Sequence, residues 1–480
     1  MRQISFFLVL PLILDFSFTS SQTSVNPPFA QYGLYDTDGI KPKEYQQRRA
    51  SVIAKMDSGS VAVFHANDPN NRNGDSEYKF RQNDNFLYLT GCNETNSTLI
   101  LAPNGIRIDS GKVAEEILFV SEYAKSWSGY NLGLEGAKQV LGFGAGGAKS
   151  VVLTTDKLKE LLPQILKPIN ILYYSPSLPD ILFDPISNAK FAAVREVRKQ
   201  LEEQYPNLTV KSSGSLVSDL RSVKSSAELV LMQKAIDATV SGCVEAMKSC
   251  EPGMHEYELQ SVIEYCYTRC GCEFYGFPSI VGSGPNTLSY HYDENRRQMN
   301  SGELVVMDVG AEYHGYSADV TRTIPVNGTF SPAQKEIYEL VLTAQNSAIK
   351  EVKSNVPMNA SGIKALEVLG EGLVKLGIIQ DKNEVKKYCP HGISHFVGLD
   401  VHDVGSREKL LPGMVFTIEP GLYIPDSTNC DKKYWGIGIR IEDDVLVTEN
   451  GCKVLSKAAP RTIEDIEMLM KHGKSQKGKK

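Results

Sequence analysis

Between residues 44 and 210 the spacing of apolar positions switches repeatedly between two periods. "GSVAVFHA" (59–66) and "EILFVSEYA" (116–124) are apolar runs of strand length. "KFAAVREVRKQLEEQY" (190–205) instead spaces its apolar residues three and four apart and carries charge on its other face, the pattern of a surface helix. This alternation predicts a smaller α/β unit. The order changes after "SSGSLVSDLRSVKSSAELVLMQKAI", where Ser225 and Glu228 have the spacing of a capping box at the start of a long helix. From there the pattern predicts two helices, a strand-and-hairpin region over 276–326, helices over 332–376, and strands again over 393–456. Helices and strands segregated in this way predict an α+β fold on antiparallel sheet, with two strand-rich blocks hinting at a pseudo-repeat.

Both ends read differently from the body. Residues 6–14 are an unbroken apolar run behind Arg2, followed by Asp15 and a small-residue stretch. The run is too short to span a bilayer, so residues 1–21 read as a removed signal peptide leading to the secretory pathway. A mitochondrial or cytoplasmic location is the alternative if that segment is not a signal. Sequons at Asn93, Asn96, Asn207, Asn327 and Asn359 are glycosylation candidates on the secretory reading. "KHGKSQKGKK" reads as a basic disordered tail over 468–480. No stable membrane insertion is expected, because no run elsewhere approaches the length of a span.

Composition narrows the function. With 480 residues and 41% hydrophobic content the chain can build two or three packed domains. A net charge of −6 gives no global electrostatic case for nucleic acid. Nine cysteines without a repeated CxxC pair do not make a disulfide scaffold, and Cys266, Cys270 and Cys272 lack a second cluster for zinc. Gly142, Gly144 and Gly147 have dinucleotide-loop spacing, but the strand before them is poor and no acid follows about 20 positions on, so they read as a loop.

The chemistry lies in acidic residues inside apolar strands. "VVMDVGAEY" and "YSADVTRT" flank a turn; if it centres between Tyr313 and His314, Asp308 lies opposite Asp319 and both point to one face. Two such carboxylates repel unless a cation joins them. "HGISHFVGLDVHDVG" supplies His391, His395 and His402, "MVFTIEPGLYI" supplies Glu419, and "WGIGIRIEDDVLV" puts Arg440 and Glu442 on the face opposite Ile437, Ile439 and Ile441. Asp443 and Asp444 read as solvent residues at a strand end. His314 reads as a turn residue, and His65, His255 and His472 carry no signal.

The order Asp308, Asp319, His395, Glu419, Glu442 resembles the five-ligand dinuclear site of the pita-bread (creatinase/aminopeptidase-like) metallopeptidases. "SIVGSGPNTLSYHYDENRRQ", "ADVTRTIPVNGTFSPAQKEIYELV", "GLDVHDVG", "LLPGMVFTIEPGLYI" and "GIGIRIEDDVLVTENG" are similar to the proline-specific branch, the Xaa-Pro aminopeptidases and prolidases, and "EYKFRQNDNFLYLTG" resembles the aminopeptidase P N-terminal domain. The resemblance implies an N-terminal domain over 30–215 and a catalytic domain over 222–467. It also implies hydrolysis of X–Pro peptide bonds, peptide substrates with proline in second position, and a homodimer or tetramer. Asp308 would hold one metal, His395 and Glu419 the other, with Asp319 and Glu442 bridging. Four carboxylates and a neutral imidazole carry −4, which two divalent ions balance, and oxygen-rich ligation favours Mn²⁺. His291 and His402 match the family's non-ligand histidines, Glu419 its proton shuttle, and Arg440 a partner for a ligand carboxylate. His391 is a further substrate-binding candidate. The loop between His402 and Glu419 is compact, and its Arg407 could grip a dipeptide carboxylate, which would make the enzyme an Xaa-Pro dipeptidase. A non-catalytic pita-bread binding protein is the reading from another class; five intact ligands argue against it.

Overall fold

The computed structural model describes residues 38–109, 111–122, 125–126, 129–130, 132–143, 149–175 and 199–477. The expected signal at 1–21, residues 190–198 of the expected helix, and Gly144 and Gly147 lie outside them; 199–204 is helical.

Alternation of side chains lets one sheet bury both faces. Strands β1 (Ser60–His65), β2 (Thr98–Asp109), β3 (Lys112–Val120), β4 (Ser150–Thr154), β5 (Ile171–Tyr174) and β6 (Thr209–Lys211) form a mixed sheet in the order β6-β5-β1-β2-β3-β4. Ala62, Phe64, Leu99, Leu101 and Leu118 face one side, where α1 (Pro42–Lys55), α2 (Asp84–Thr90) and α3 (Gly133–Leu141) pack. Val61, Val63, Ile100, Ile117 and Phe119 face the other, against Leu161 and Ile165 of α4 (Thr155–Leu166). Each of these buried Leu, Ile or Phe side chains stabilises the layer by about 1.5–3 kcal/mol.

A short helix, α5 (Gly214–Ser222), leads into α6 (Ser226–Ser249), which opens with the expected capping box: Ser225 Oγ accepts from the Glu228 amide, and Glu228 accepts from the Ser225 amide. After α7 (Glu256–Arg269) come β7 (Ile280–Ser283), β8 (Leu304–Val309), β9 (Ala311–Tyr313), β10 (Tyr316–Ser317) and β11 (Val320–Pro325). The helix pair α8 (Pro332–Lys350) and α9 (Asn359–Lys375) follows, then β12 (Val415–Ile418), β13 (Gly421–Ile424), β14 (Ile437–Arg440), β15 (Asp443–Thr448) and β16 (Gly451–Val454). The α+β expectation holds, but the strands form several small antiparallel sheets, β7-β8-β11, β12-β15-β16 and β13-β14 among them.

The end of the chain departs from expectation. Residues through Lys477 belong to α10 (Ile463–Lys477), not to a disordered tail beginning at 468. Ile466 and Met470 are buried, and Gly473 sits so close to the Lys248 carbonyl of α6 that a Cβ there would collide with it. An apolar stripe inside a lysine-rich segment is enough to seat the helix.

Candidate metal centre

Two hairpins, one from each strand-rich block that follows α7, are interrupted at equivalent places. In the first, Tyr313 pairs with Tyr316 across His314 and Gly315, whose φ angles of 50° and 84° are those of a tight hairpin turn. The turn therefore centres one residue later than expected, and Asp308 pairs with Thr321, not Asp319. Asp319 is two positions from Thr321, so it keeps the same face and meets Asp308 diagonally. The ladder breaks around Gly310, where a Cβ would collide with the Ala318 carbonyl. In the second hairpin Ile418 pairs with Asp443 and Gly421 with Arg440. The gap between these pairs places Glu419 opposite Glu442.

Threonines lock the two hairpins together. Glu442 N–H donates to the Thr321 carbonyl (3.1 Å), Thr321 Oγ1 donates to Glu442 Oε2 (2.6 Å), and Thr323 Oγ1 donates to the Arg440 carbonyl (2.9 Å). His395 arrives on a segment running beside β12, held where Thr417 N–H donates to the His395 carbonyl and Glu419 N–H to that of Ile393, both at 2.9 Å. Asp308, Asp319, His395, Glu419 and Glu442 all line one cavity of about 550 Å³, with His291, His391, His402, Arg407 and Arg440.

The donors converge. One ligand atom each from Asp319, His395 and Glu442 lies within 4.8 Å of the others. His395 Nε2 is 3.3 Å from Asp319 Oδ2 and 3.6 Å from Glu419 Oε1, and its Nδ1 faces the Phe396 carbonyl at 3.1 Å. That carbonyl fixes the tautomer and leaves Nε2 as the free donor atom. Oδ1 of Asp308 and Oδ1 of Asp319 are buried without a hydrogen-bond partner. Buried acceptors left unpartnered are costly, and a cation between them removes the cost.

Electrostatics gives the same answer. Burial, then the charge of Glu442, pushes the Asp319 carboxyl well above its ordinary range; burial and Glu442 do the same to Glu419. Burial and Asp308 carry Glu442 up to about 8. Burial brings His395 down to about 3 and His391 to about 4. Crowded carboxylates resisting ionisation beside neutral imidazoles make a donor set suited to divalent cations.

Comparison with known proteins accords with this geometry. Residues 230–449 match the model of metallopeptidase family M24, and residues 45–173 that of the aminopeptidase P N-terminal domain. The chain is 36% identical over 449 residues to the Xaa-Pro aminopeptidase of Haemophilus influenzae, covering 90% of this chain and 98% of that one. The chain belongs to the aminopeptidase P family of M24 metallopeptidases. It is also 33% identical, over 90% of its length and 84% of the relative's, to the mitochondrial intermediate cleaving peptidase 55 of Arabidopsis thaliana. Aminopeptidase P from Escherichia coli with the inhibitor Pro-Leu superposes with a TM-score of 0.79 at 33% identity, covering 91% of this chain and all of that one.

Of the other residues singled out in the sequence, Asp443 and Asp444 depart from expectation. Arg440 pairs with the carboxylate of Asp308 (Nη2 to Oδ2, 2.6 Å), and its Nη1 donates to Tyr423 OH at 2.7 Å. Asp443 and Asp444 are fully buried, not solvent residues. β15 is the middle strand of its sheet, so both its edges are paired, and the two aspartates, pointing to opposite faces, are buried on each. Asp443 accepts from Arg322 (2.7 Å) and Ser456 (2.6 Å), and Asp444 accepts from the Asp319 amide at 3.1 Å, fixing the backbone of a site carboxylate. His391 contacts Tyr423 OH (3.0 Å) and lies 3.6 Å from Glu419; His402 stacks obliquely on His395 with ring centroids 4.0 Å apart. Thr321, Tyr423 and Tyr290 were not legible as site residues. Thr321 had one available signal, its two-residue spacing from Asp319. His314 occupies the turn as expected and contacts Glu273.

Proposed function

We propose that this chain is an Xaa-Pro aminopeptidase, removing an N-terminal residue that precedes proline with two divalent cations, Mn²⁺ by preference. The observation that carries this reading is the convergence of four carboxylates and one imidazole on a single cavity, with two carboxylate oxygens buried and unpartnered. Asp308, Asp319, His395, Glu419 and Glu442 would hold the ions, with Arg440 orienting Asp308. When bound, the ions supply Lewis acidity to the scissile carbonyl and lower the pKa of the attacking water.

The protein's own groups carry the rest. The X–Pro nitrogen bears no hydrogen and must be protonated as it leaves. Glu419, half-buried at the cavity wall, takes the proton of the attacking water at a carboxylate oxygen and delivers it to that nitrogen. His291 and His402 line the same wall and donate hydrogen bonds to substrate and to the tetrahedral centre as charge develops there.

The test uses metal-stripped enzyme with and without Mn²⁺, Co²⁺ or Zn²⁺. A peptide beginning X-Pro-Pro should lose its first residue, its X-Ala analogue should be cleaved at least about 100-fold more slowly, and Pro-Leu should inhibit. Absence of metal-stimulated X–Pro hydrolysis would leave the binding-protein reading. Cleavage of Gly-Pro alone would convert the assignment to dipeptidase, with Arg407 at the cavity as the carboxylate grip.

Among the described residues no helix is long and apolar enough to cross a membrane. The leader at 1–21 has two destinations to separate, and a mitochondrial relative favours the organelle over secretion. Asn93, Asn96, Asn207 and Asn359 are exposed and Asn327 half-buried, so endoglycosidase treatment of protein from its native cells is decisive. A mobility shift restores the secretory route; none is expected on the mitochondrial one.

A further inference from the structure

The segment that presents His402 to the cavity is gripped from behind by a buried cluster of charges that the chemistry just described does not use. Asp403, the next residue, has its side chain 1% exposed and turned away from the cavity. Its Oδ1 accepts from Arg221 Nη2 at 2.5 Å and its Oδ2 from Lys224 Nζ at 2.8 Å, and those two side chains are themselves 3% and 1% exposed. Both cations come from the junction between the N-terminal sheet and the catalytic domain: Arg221 lies in α5, and Lys224 just before the capping box of α6. Arg221 also reaches Asn85 of α2 (2.8 Å) and Asp400 (2.9 Å), while Arg81, just ahead of α2, donates to the Leu399 carbonyl at 2.5 Å. The N-terminal domain and its linker thus hold residues 399–403 from one side while His402 faces the other.

The backbone is shaped for this grip. Asp403 N–H donates to the Phe396 carbonyl (2.8 Å), tying the loop to the segment that carries His395. Gly398 passes so close to Asp403 Oδ2 and Lys224 Nζ that a Cβ would collide with them. Lys224 N–H donates to the Gly413 carbonyl at 2.9 Å, so the linker is fixed at the far end of the loop as well. Burial raises the Asp403 carboxyl, yet Lys224 and Arg221 outweigh it and hold the group below its ordinary range, charged. A lysine, an arginine and an aspartate this buried are costly to desolvate, and a hydrophobic contact of the same size would serve stability as well. What ionic contacts add over apolar ones is a fixed direction.

We propose that Asp403, clamped by Arg221 and Lys224, is a positioning residue for His402, setting the imidazole against the reacting centre from the domain junction. The inference rests on the X–Pro hydrolase reading, because His402 has work to do only if substrate enters the cavity. Asp403→Asn keeps shape and removes the charge. In the metal-loaded full-length enzyme it should lower kcat about 10-fold with KM changed less than about 2-fold, within the range for groups that orient a site residue. His402→Ala should cost more, and adding Asp403→Asn to it should cost almost nothing further, because the aspartate acts through the missing ring. Lys224→Met is the second variant, expected to act in the same direction should Asp403→Asn fold poorly. Equal losses from Asp403→Asn in the presence and absence of His402 would mean a merely structural role and overturn the proposal. Hydrogen exchange of residues 398–404 is read in parallel and does not depend on activity. Faster exchange in Asp403→Asn supports the clamp, and unchanged exchange overturns it. An inactive wild type with faster loop exchange in the variant would sink the functional reading and leave the clamp standing.

Discussion

Asp319→Asn is expected to lower kcat/KM for an X–Pro peptide by roughly 10³-fold or more, a loss of about 4 kcal/mol of transition-state stabilisation. Asparagine matches aspartate in shape, so packing around this buried position is preserved. The amide would present either a neutral oxygen or an N–H₂ donor where Asp319 Oδ1 is now buried and unpartnered, 3.3 Å on the other oxygen's side from His395 Nε2. A divalent cation held at this position would lose a charged ligand, and metal content measured by elemental analysis should fall from two equivalents. Metal-free Asp319→Asn should melt no lower than the metal-free parent, because it relieves repulsion with Glu442 and Asp308. A variant that keeps both equivalents and activity within about 10-fold of the parent would remove Asp319 from the site.

Chelated enzyme should become less stable between pH 6.5 and 8, and metal should reverse that slope. Asp319 and Glu419 titrate well above their ordinary range when folded, and Glu442 shifts from 4.5 to about 8. Over that interval the folded chain holds protons the unfolded chain has lost, so stability falls as pH rises. His395 and His391 act in the opposite sense, but lower down. Their folded values near 3 and 4 lie below 6.5, so the unfolded chain binds protons the folded one does not, and stability falls only as pH drops below 6.5. Above 6.5 the histidine contribution fades and the carboxylates dominate. Divalent ions hold them ionised, so saturating metal, at about 100 times its dissociation constant, should raise Tm by roughly 5–10 °C at pH 8 and by less at pH 6.5. Differential scanning fluorimetry at the two pH values, with chelator and with Mn²⁺, checks this. A chelated protein whose Tm is flat or rises from pH 6.5 to 8 would mean that the carboxylates are not crowded as described.

The candidate site residues were legible because acids in apolar strands are costly without a partner, and because four of them and one histidine came in the order of a known ligand set. Pairing was less legible. Placing the turn one residue early opposed Asp308 to Asp319, and the error was harmless only because the slip in register was two residues, which preserves the face. Asp443 and Asp444 were misplaced for a different reason. Their neighbours in sequence suggest a strand end, whereas the groups that make their burial tolerable stand far off: Arg322 and Ser456, 121 and 13 positions from Asp443, and the Asp319 amide, 125 from Asp444. The last helix was hidden under its lysines, since charge dominates composition while three buried apolar side chains, Ile463, Ile466 and Met470, and a close glycine decide the packing.

Sequence by itself determined the element order, the two unlike units, the capping box at Ser225 and the kinds of side chain available for chemistry, because these depend on local period and residue type. Tertiary structure alone decided which partner each charge takes: Arg440 to Asp308, Asp444 to the amide of Asp319, Lys224 and Arg221 to Asp403. Those choices follow from how two interrupted hairpins and a domain junction meet in space. Electrostatic energy depends on distance in the folded molecule and on exclusion of water, and neither is a property of position along the chain.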